Sequence, residues 1–405
     1  MVDILGKLAD DLEVVRAQGR YREYLNLERR ADLAPGAIAH GEDGPRDLVV
    51  WCSNDYLSMS HHPVVLSAVV EAVERVGLGT GGARSISGNS IYHQQLEAEL
   101  ADLYGKPKAL LFSTGFNAND SALSALGARL PGLIYFSDEL NHASIIRGVR
   151  SSGAAKRIFR HNDTEHLREL LAAADRDAPK IIVFESLYSM EGDFAPIEEI
   201  IALAEEFGAL TYVDEVHAAG SYGATGSGYA EELGLSDRIT VFHGGFGKGY
   251  GGAGGYLVGP VEIVDTVRSF AVPFVFSTSS PAPVVAGALA SVRHLRANAD
   301  QREVLHARCR QLRETLAELR IPVLSRDSHI LPVLVGDPHK NKEVSARLLR
   351  DHQIYVQPVN APTVPAGTER LRVTPTSRHT EDDVVAFAKA IDQVWSSVEL
   401  PRLPH

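Results

Sequence analysis

The stretch Val241-Phe-His-Gly-Gly-Phe-Gly-Lys248-Gly-Tyr-Gly-Gly-Ala-Gly-Gly-Tyr256 decides how this chain is read, together with Val213-Asp214-Glu-Val-His217 upstream of it. A lysine in a glycine-rich loop can be reached by a flat aldehyde. An aspartate at the end of an apolar strand can keep a ring nitrogen protonated by direct charge pairing. The pair points to pyridoxal phosphate, with Lys248 as the Schiff-base lysine and Asp214 as the partner of the pyridinium nitrogen. His217, three residues beyond Asp214, could hydrogen-bond the cofactor's phenolic oxygen, or the two could be a metal ligand pair or a helix cap. Two other readings of the loop fail. Gly249-Tyr-Gly251-Gly-Ala-Gly254 matches GxGxxG, but it precedes an apolar strand instead of opening a helix. A Walker A loop would need glycine where Phe242 stands, and serine or threonine in place of Gly249.

Outward from this stretch the chain alternates. Short apolar runs at 109–112, 133–136, 181–184, 210–213, 239–242 and 255–258 are separated by helical patterns such as 164–174 and 196–207. Such runs predict an α/β fold with a parallel sheet covered on both faces, and functional groups beyond the strands' carboxyl ends. Asp214 and Ser113 sit at such ends. Helices are expected over 2–31, 63–76, 93–104, 284–299, 302–320 and 380–397, and a short strand over 48–51. The pattern divides the chain into an N-terminal helix and strand segment (1–58), a large α/β domain (59–290) and a smaller α+β domain (291–405).

The composition is that of an ordinary globular chain: 405 residues, 44% hydrophobic and 23% charged, with a formal net charge of −12. The negative balance argues against a nucleic-acid or membrane-surface partner, because polyanions are repelled. No apolar run approaches membrane-spanning length. Cys52 and Cys309 have no metal-ligand spacing and read as reduced thiols of a cytoplasmic protein. No HExxH or similar cluster supports a metal.

Several further residues are candidates whose bland readings stay open on residue pattern alone. Ser113-Thr-Gly115-Phe116-Asn117 joins an apolar run to a helix and could seat a phosphate on Gly115 and Phe116, or be a plain connection. His142 could stack on a cofactor ring or cap a helix. Ser277 and Thr278 follow an aromatic, strand-like run and could reach a phosphate or lie in solvent. Arg370 and Arg372 share a strand face, where one could clamp a carboxylate as a bidentate pair or join a surface ion pair. Asn54 could contact substrate or close a turn.

In this order, these residues resemble the α-oxoamine synthases, a family of fold-type I pyridoxal phosphate enzymes. The resemblance runs nearly end to end. It is carried by Trp51-Cys-Ser-Asn-Asp-Tyr-Leu57, by Gly132 to Ser144, by Phe184 to Asp193, by Tyr212 to His217 and by Tyr355 to Pro375. It implies a large, mainly parallel seven-stranded sheet domain with a smaller α+β C-terminal domain, and a homodimer with shared active sites. It implies condensation of glycine with succinyl-CoA, releasing 5-aminolevulinate, CoA and carbon dioxide. It assigns His142 to the cofactor ring and Ser189 to a further cofactor contact. Arg372 is matched to the glycine carboxylate, Asn54 to the side of that substrate, and Arg22 of the partner subunit to the succinyl carboxylate.

Four positions depart from the pattern of family members that make 5-aminolevulinate. In the pocket segment Ala83-Arg-Ser85-Ile86, Ala83 stands where threonine is usual and Ser85 where asparagine is usual. Ala361 replaces an aromatic residue. Gly245 replaces a threonine whose hydroxyl binds the cofactor phosphate, a hydrogen bond worth roughly 1.5–3 kcal/mol. The first three favour a rival in which the same chemistry takes another acyl-CoA or alanine. Gly245 alone favours an inactive binding subunit, and retention of Lys248, Asp214, His217 and His142 opposes it.

Overall fold

The computed structural model describes residues 3–18, 20–21, 24–42 and 44–404. The chain opens with helix α1 (Ile4–Ala17) and strands β1 (Asn26–Glu28), β2 (Gly36–Gly41) and β3 (Gly44–Val50). Helices α2 (Pro63–Val76) and α3 (Ile91–Leu103) lead into β4 (Lys108–Phe112), α4 (Gly115–Arg129), β5 (Ile134–Asp138), α5 (Ala143–Ser151), β6 (Ala155–Phe159) and α6 (Thr164–Ala172). Then come β7 (Lys180–Glu185), α7 (Ile197–Phe207), β8 (Leu210–Asp214), α8 (Tyr229–Glu232), β9 (Val241–Gly245) and β10 (Gly255–Gly259). After them run α9 (Val261–Phe270), α10 (Val272–Val275), α11 (Ala282–Ala297), α12 (Asp300–Glu318), β11 (Leu331–Leu334), α13 (Pro338–His352), β12 (Ile354–Tyr355), β13 (Pro358–Val359), β14 (Arg370–Val373) and α14 (Glu381–Ser397).

Two compact units result. One comprises Asn54–Ser189 and Asp193–Leu305, the other Met1–Ser53, Met190–Gly192 and His306–His405. The first holds a seven-stranded sheet in the order β4-β10-β9-β8-β7-β5-β6. Strands β5 to β9 pair in parallel, and β10 runs antiparallel to both β4 and β9. Every residue of β7 is buried, as a central strand covered on both faces requires. Helix α4 anchors one face. Its Ala118, Ala122, Leu123, Ala125 and Leu126 pack into a core with Phe112, Tyr135, Ile145, Tyr212 and Leu257. Burial of each large side chain here stabilises by about 1.5–3 kcal/mol.

The second unit has a four-stranded sheet, β1-β2-β3-β12, and a three-stranded antiparallel sheet, β11-β14-β13. Its centre is the buried Trp51, whose ring lies 4.0 Å from that of His379 and 4.4 Å from that of Phe387.

Three local expectations are corrected. The helix expected over 2–31 ends at Ala17, and the alternating Asn26-Leu-Glu28 pairs with β2. The apolar period stops at Val15, and the sequence places a glycine, a poor helix former, at position 19. Strand β6 was not anticipated, because Lys156 and Arg157 interrupt its apolar pattern. It is an edge strand, where charges are ordinary. The aromatic run before Ser277 is the short helix α10, started by Pro273 and held by Phe274 against Phe112.

Candidate active site

The site is built on the carboxyl edge of the parallel strands. Registers place Glu185 of β7 beside Asp214 of β8, and Asp214 beside His243 of β9. Asp138 ends β5. The loops leaving these strands carry His142, Ser189, His217 and Lys248, so one sheet edge gathers these four with Asp214.

Asp214 is buried and richly solvated by protein groups. Asn119 Nδ2 donates to Oδ2 at 2.8 Å, His243 Nδ1 lies 2.9 Å from the same oxygen, and the Val216 N–H donates to Oδ1 at 2.9 Å. Burial works to raise its carboxyl, but the His243 charge and these donors outweigh it and hold it below the ordinary aspartate value. Asn119 is itself fixed, because the Tyr212 hydroxyl donates to its Oδ1 at 2.8 Å and its Nδ2 also reaches Ser144 Oγ at 3.0 Å.

His142 caps α5. Its backbone N–H donates to Glu185 Oε1 at 2.6 Å. Its Nδ1 lies 2.7 Å from Ser144 Oγ and accepts the Ser144 N–H at 3.3 Å, so the neutral ring carries its proton on Nε2. Burial lowers its pKa. Asp214 opposes this, while the positive Lys248 and His243 reinforce it. These mutual influences put His142, Asp214, Lys248 and His243 within one electrostatic neighbourhood. His217 is buried, with Nδ1 2.8 Å from the Tyr56 hydroxyl, which also reaches Asn54 Oδ1 at 3.2 Å. Lys248 is half-buried in the turn after β9, closed by the Gly251 N–H donating to the Lys248 carbonyl at 2.8 Å.

The start of α4 offers free backbone amides of the kind that suit an anion. Thr114 caps it, accepting the Asn117 N–H at 3.0 Å. The Gly115 and Phe116 N–H groups of the first turn have no possible partner within the helix. The Phe116 ring meets His142 edge-on, 6.2 Å between centroids. A Cβ at Gly255 would come within 2.5 Å of Gly115 Cα, so this glycine lets β10 press directly on the helix start. A shallow cleft is lined by Ser113, Asn117, Ser277, Thr278, Arg84 and His93. Ala83 bridges to Thr278. Ser85 and Ile86 are exposed on a turn in which the Ile86 and Gly88 N–H groups both donate to the Ala83 carbonyl at 3.0 Å.

Arg372 is buried on β14 of the second unit. Its positive charge helps keep His329 neutral there, after burial itself. Arg22 lies outside the described residues. His243 was missed in the sequence: every residue of its strand is buried, and its partner Asp214 is set by the sheet order.

Pyridoxal phosphate fits this residue set. Asp214 Oδ1 accepts the Val216 N–H and keeps a lone pair for a ring nitrogen, while Oδ2 accepts from Asn119 and lies beside His243. The first-turn amides of α4 suit a phosphate, and a lysine stands in the loop between them and the acid. The fold and this edge define a fold-type I pyridoxal phosphate enzyme.

The family model for aminotransferase class I and II matches residues 46–391. The chain is 50% identical to the 5-aminolevulinate synthase of Paracoccus denitrificans over 404 residues, covering 99% of each protein. It is also 50% identical to that of Rhodobacter capsulatus, covering 96% of each. Among solved structures it is similar to Sphingomonas wittichii serine palmitoyltransferase, with a TM-score of 0.91 and 30% identity over 99% of this chain and all of that one. The chain therefore belongs to the aminotransferase class I and II family and, within it, to the 5-aminolevulinate synthases.

Proposed function

We propose that the protein condenses glycine with succinyl-CoA and releases 5-aminolevulinate, CoA and carbon dioxide, as a homodimer in the cytoplasm. The near full-length identity to 5-aminolevulinate synthases is the observation that carries this reading. Bound pyridoxal phosphate supplies the electron sink that makes an amino acid's Cα proton removable. Lys248 carries the cofactor and its Nζ takes up that proton. Asp214 keeps the ring nitrogen protonated, and His217 holds the phenolic oxygen. The Gly115 and Phe116 amides hold the phosphate with the Ser277 and Thr278 hydroxyls, and Ser189 adds a further contact. His142 covers the ring, and its Nε2–H hydrogen-bonds the acyl carbonyl oxygen without giving up the proton. Arg372 takes the glycine carboxylate, with Asn54 beside it. Arg22 of the partner subunit takes the succinyl carboxylate. Ala83, Ser85 and Ile86 line the acyl pocket.

A second reading keeps the chemistry and changes the donor or amino acid. Ala83, Ser85 and Ala361 favour it, because each is smaller than the residue usual there. Mass spectrometry of products from glycine or alanine with a panel of acyl-CoA thioesters decides between the two. Succinyl-CoA turning over no faster than acetyl-CoA would remove the first reading. Borohydride fixation of the cofactor to Lys248, located by peptide mass, tests the covalent anchor separately.

A further inference from the structure

His243 touches Asp214 and has no part in the scheme above. We propose that His243 is a positioning residue that sets how strongly Asp214 holds the proton on the cofactor's ring nitrogen, and that ties this acid to the phosphate end of the site.

The argument is a proton count. His243 Nε2 lies 3.0 Å from the Gly115 carbonyl oxygen. That oxygen only accepts, so Nε2 carries a proton. Nδ1 lies 2.9 Å from Asp214 Oδ2. At this ion-pair distance two facing lone pairs would repel, so Nδ1 carries a proton whenever Asp214 is charged. The ring is then an imidazolium, buried within an ion pair that is neutral overall. Its charge offsets that of Asp214, so the ring nitrogen is held less tightly than by a lone carboxylate. Asn119 donates to the same Oδ2 at 2.8 Å, so Oδ1, which takes the Val216 N–H, is the less crowded oxygen to meet the ring.

The same imidazole links two elements. Gly115 is the first residue of α4, whose first-turn amides seat the phosphate, and Asp214 ends β8. One ring therefore spaces the acid from the anion seat. Among the described residues, the ionisable groups around the pair include His142 and Lys248 from the loops after β5 and β9, Tyr212 within β8, Glu185 at the end of β7 and Glu215 next in the chain.

This inference rests on pyridoxal phosphate as cofactor and not on the acyl donor. Failure of the borohydride test at Lys248 would strike that premise alone. The test of His243 uses the full-length holoenzyme labelled with ¹⁵N-histidine near neutral pH. Both His243 nitrogens are expected to be protonated, and an unprotonated Nδ1 overturns the proposal. In a second sample the ring nitrogen of ¹⁵N-labelled pyridoxal phosphate is titrated in wild type and in His243→Asn, which keeps a donor and removes the charge. The midpoint for loss of the ring proton should rise by about one pH unit in the variant. Equal midpoints overturn the proposal, including the case where the variant merely melts earlier. If the variant does not fold, the wild-type histidine spectrum decides.

Discussion

Replacing His161 by glutamine removes a half-buried cation that braces the loop carrying His142. His161 Nδ1 lies 3.0 Å from Asp138 Oδ1, and Nε2 lies 3.0 Å from Asp193 Oδ2. Asp138 also receives the Leu140 and Asn162 N–H groups at 2.8 and 2.9 Å, so it closes the β5 edge from which His142 projects. Burial disfavours the charged ring, but the two carboxylates outweigh it and raise its pKa from 6.5 to about 10. A histidine whose folded pKa is raised stabilises the fold fully below its unfolded pKa. That stabilisation is lost as the pH rises through the folded value. The shift corresponds to a ceiling of about 4–5 kcal/mol near pH 6, about 3 kcal/mol near pH 8 and under about 1 kcal/mol near pH 9.5. Asp193 is 42% exposed, so solvent screening reduces these figures, to roughly half on that side. Urea denaturation of wild type and His161→Gln at the three pH values, at one saturating cofactor concentration, measures the difference. The variant should be weaker by several kcal/mol near pH 6 and nearly equal to wild type near pH 9.5. A difference that is constant with pH, or that grows as pH rises, would refute the reasoning.

Three further outcomes are expected. Gly255→Ala places a methyl within 2.7 Å of backbone atoms of Thr114 and Gly115 and must displace the start of α4. Cofactor affinity should fall about tenfold or more, read by absorbance titration. Asn119→Ala removes one donor to Asp214 and the acceptor of the buried Tyr212 hydroxyl. It should cost about 2–4 kcal/mol in urea melts. It should also move the acid limb of stability to higher pH, since a depressed carboxyl stabilises only above its folded pKa. Gly245→Thr alone should not strengthen cofactor binding, because its Cβ would come within 2.6 Å of Val216 Cγ2. Combined with Val216→Ala it should gain up to about tenfold in affinity over Val216→Ala alone.

What the sequence could and could not reveal follows from where the signal lies. Asp214 and Lys248 were legible because each breaks its local pattern, an acid closing an apolar strand and a cation among glycines. The strands of the sheet centre were legible because burial on both faces leaves unbroken apolar runs, as in Ile181-Ile-Val-Phe184. Strand β6 was hidden because an edge strand tolerates the charges that mask its alternation. His243 was hidden for another reason. Its meaning depends on which residue faces it across a strand pair, and sheet order is not written in any local window.

The pairing of β8 with β9 has a chemical as well as a mechanical side. Asp214 meets His243 only in the observed register. A slip of β9 by one place would set either Phe242 or Gly244 against the acid, leaving a buried anion without its counter-charge. A single inserted or deleted residue within 241–243 is therefore expected to silence the chain even where the overall shape survives. Length variation among natural relatives should fall outside this segment, for instance in the turn at 234–238.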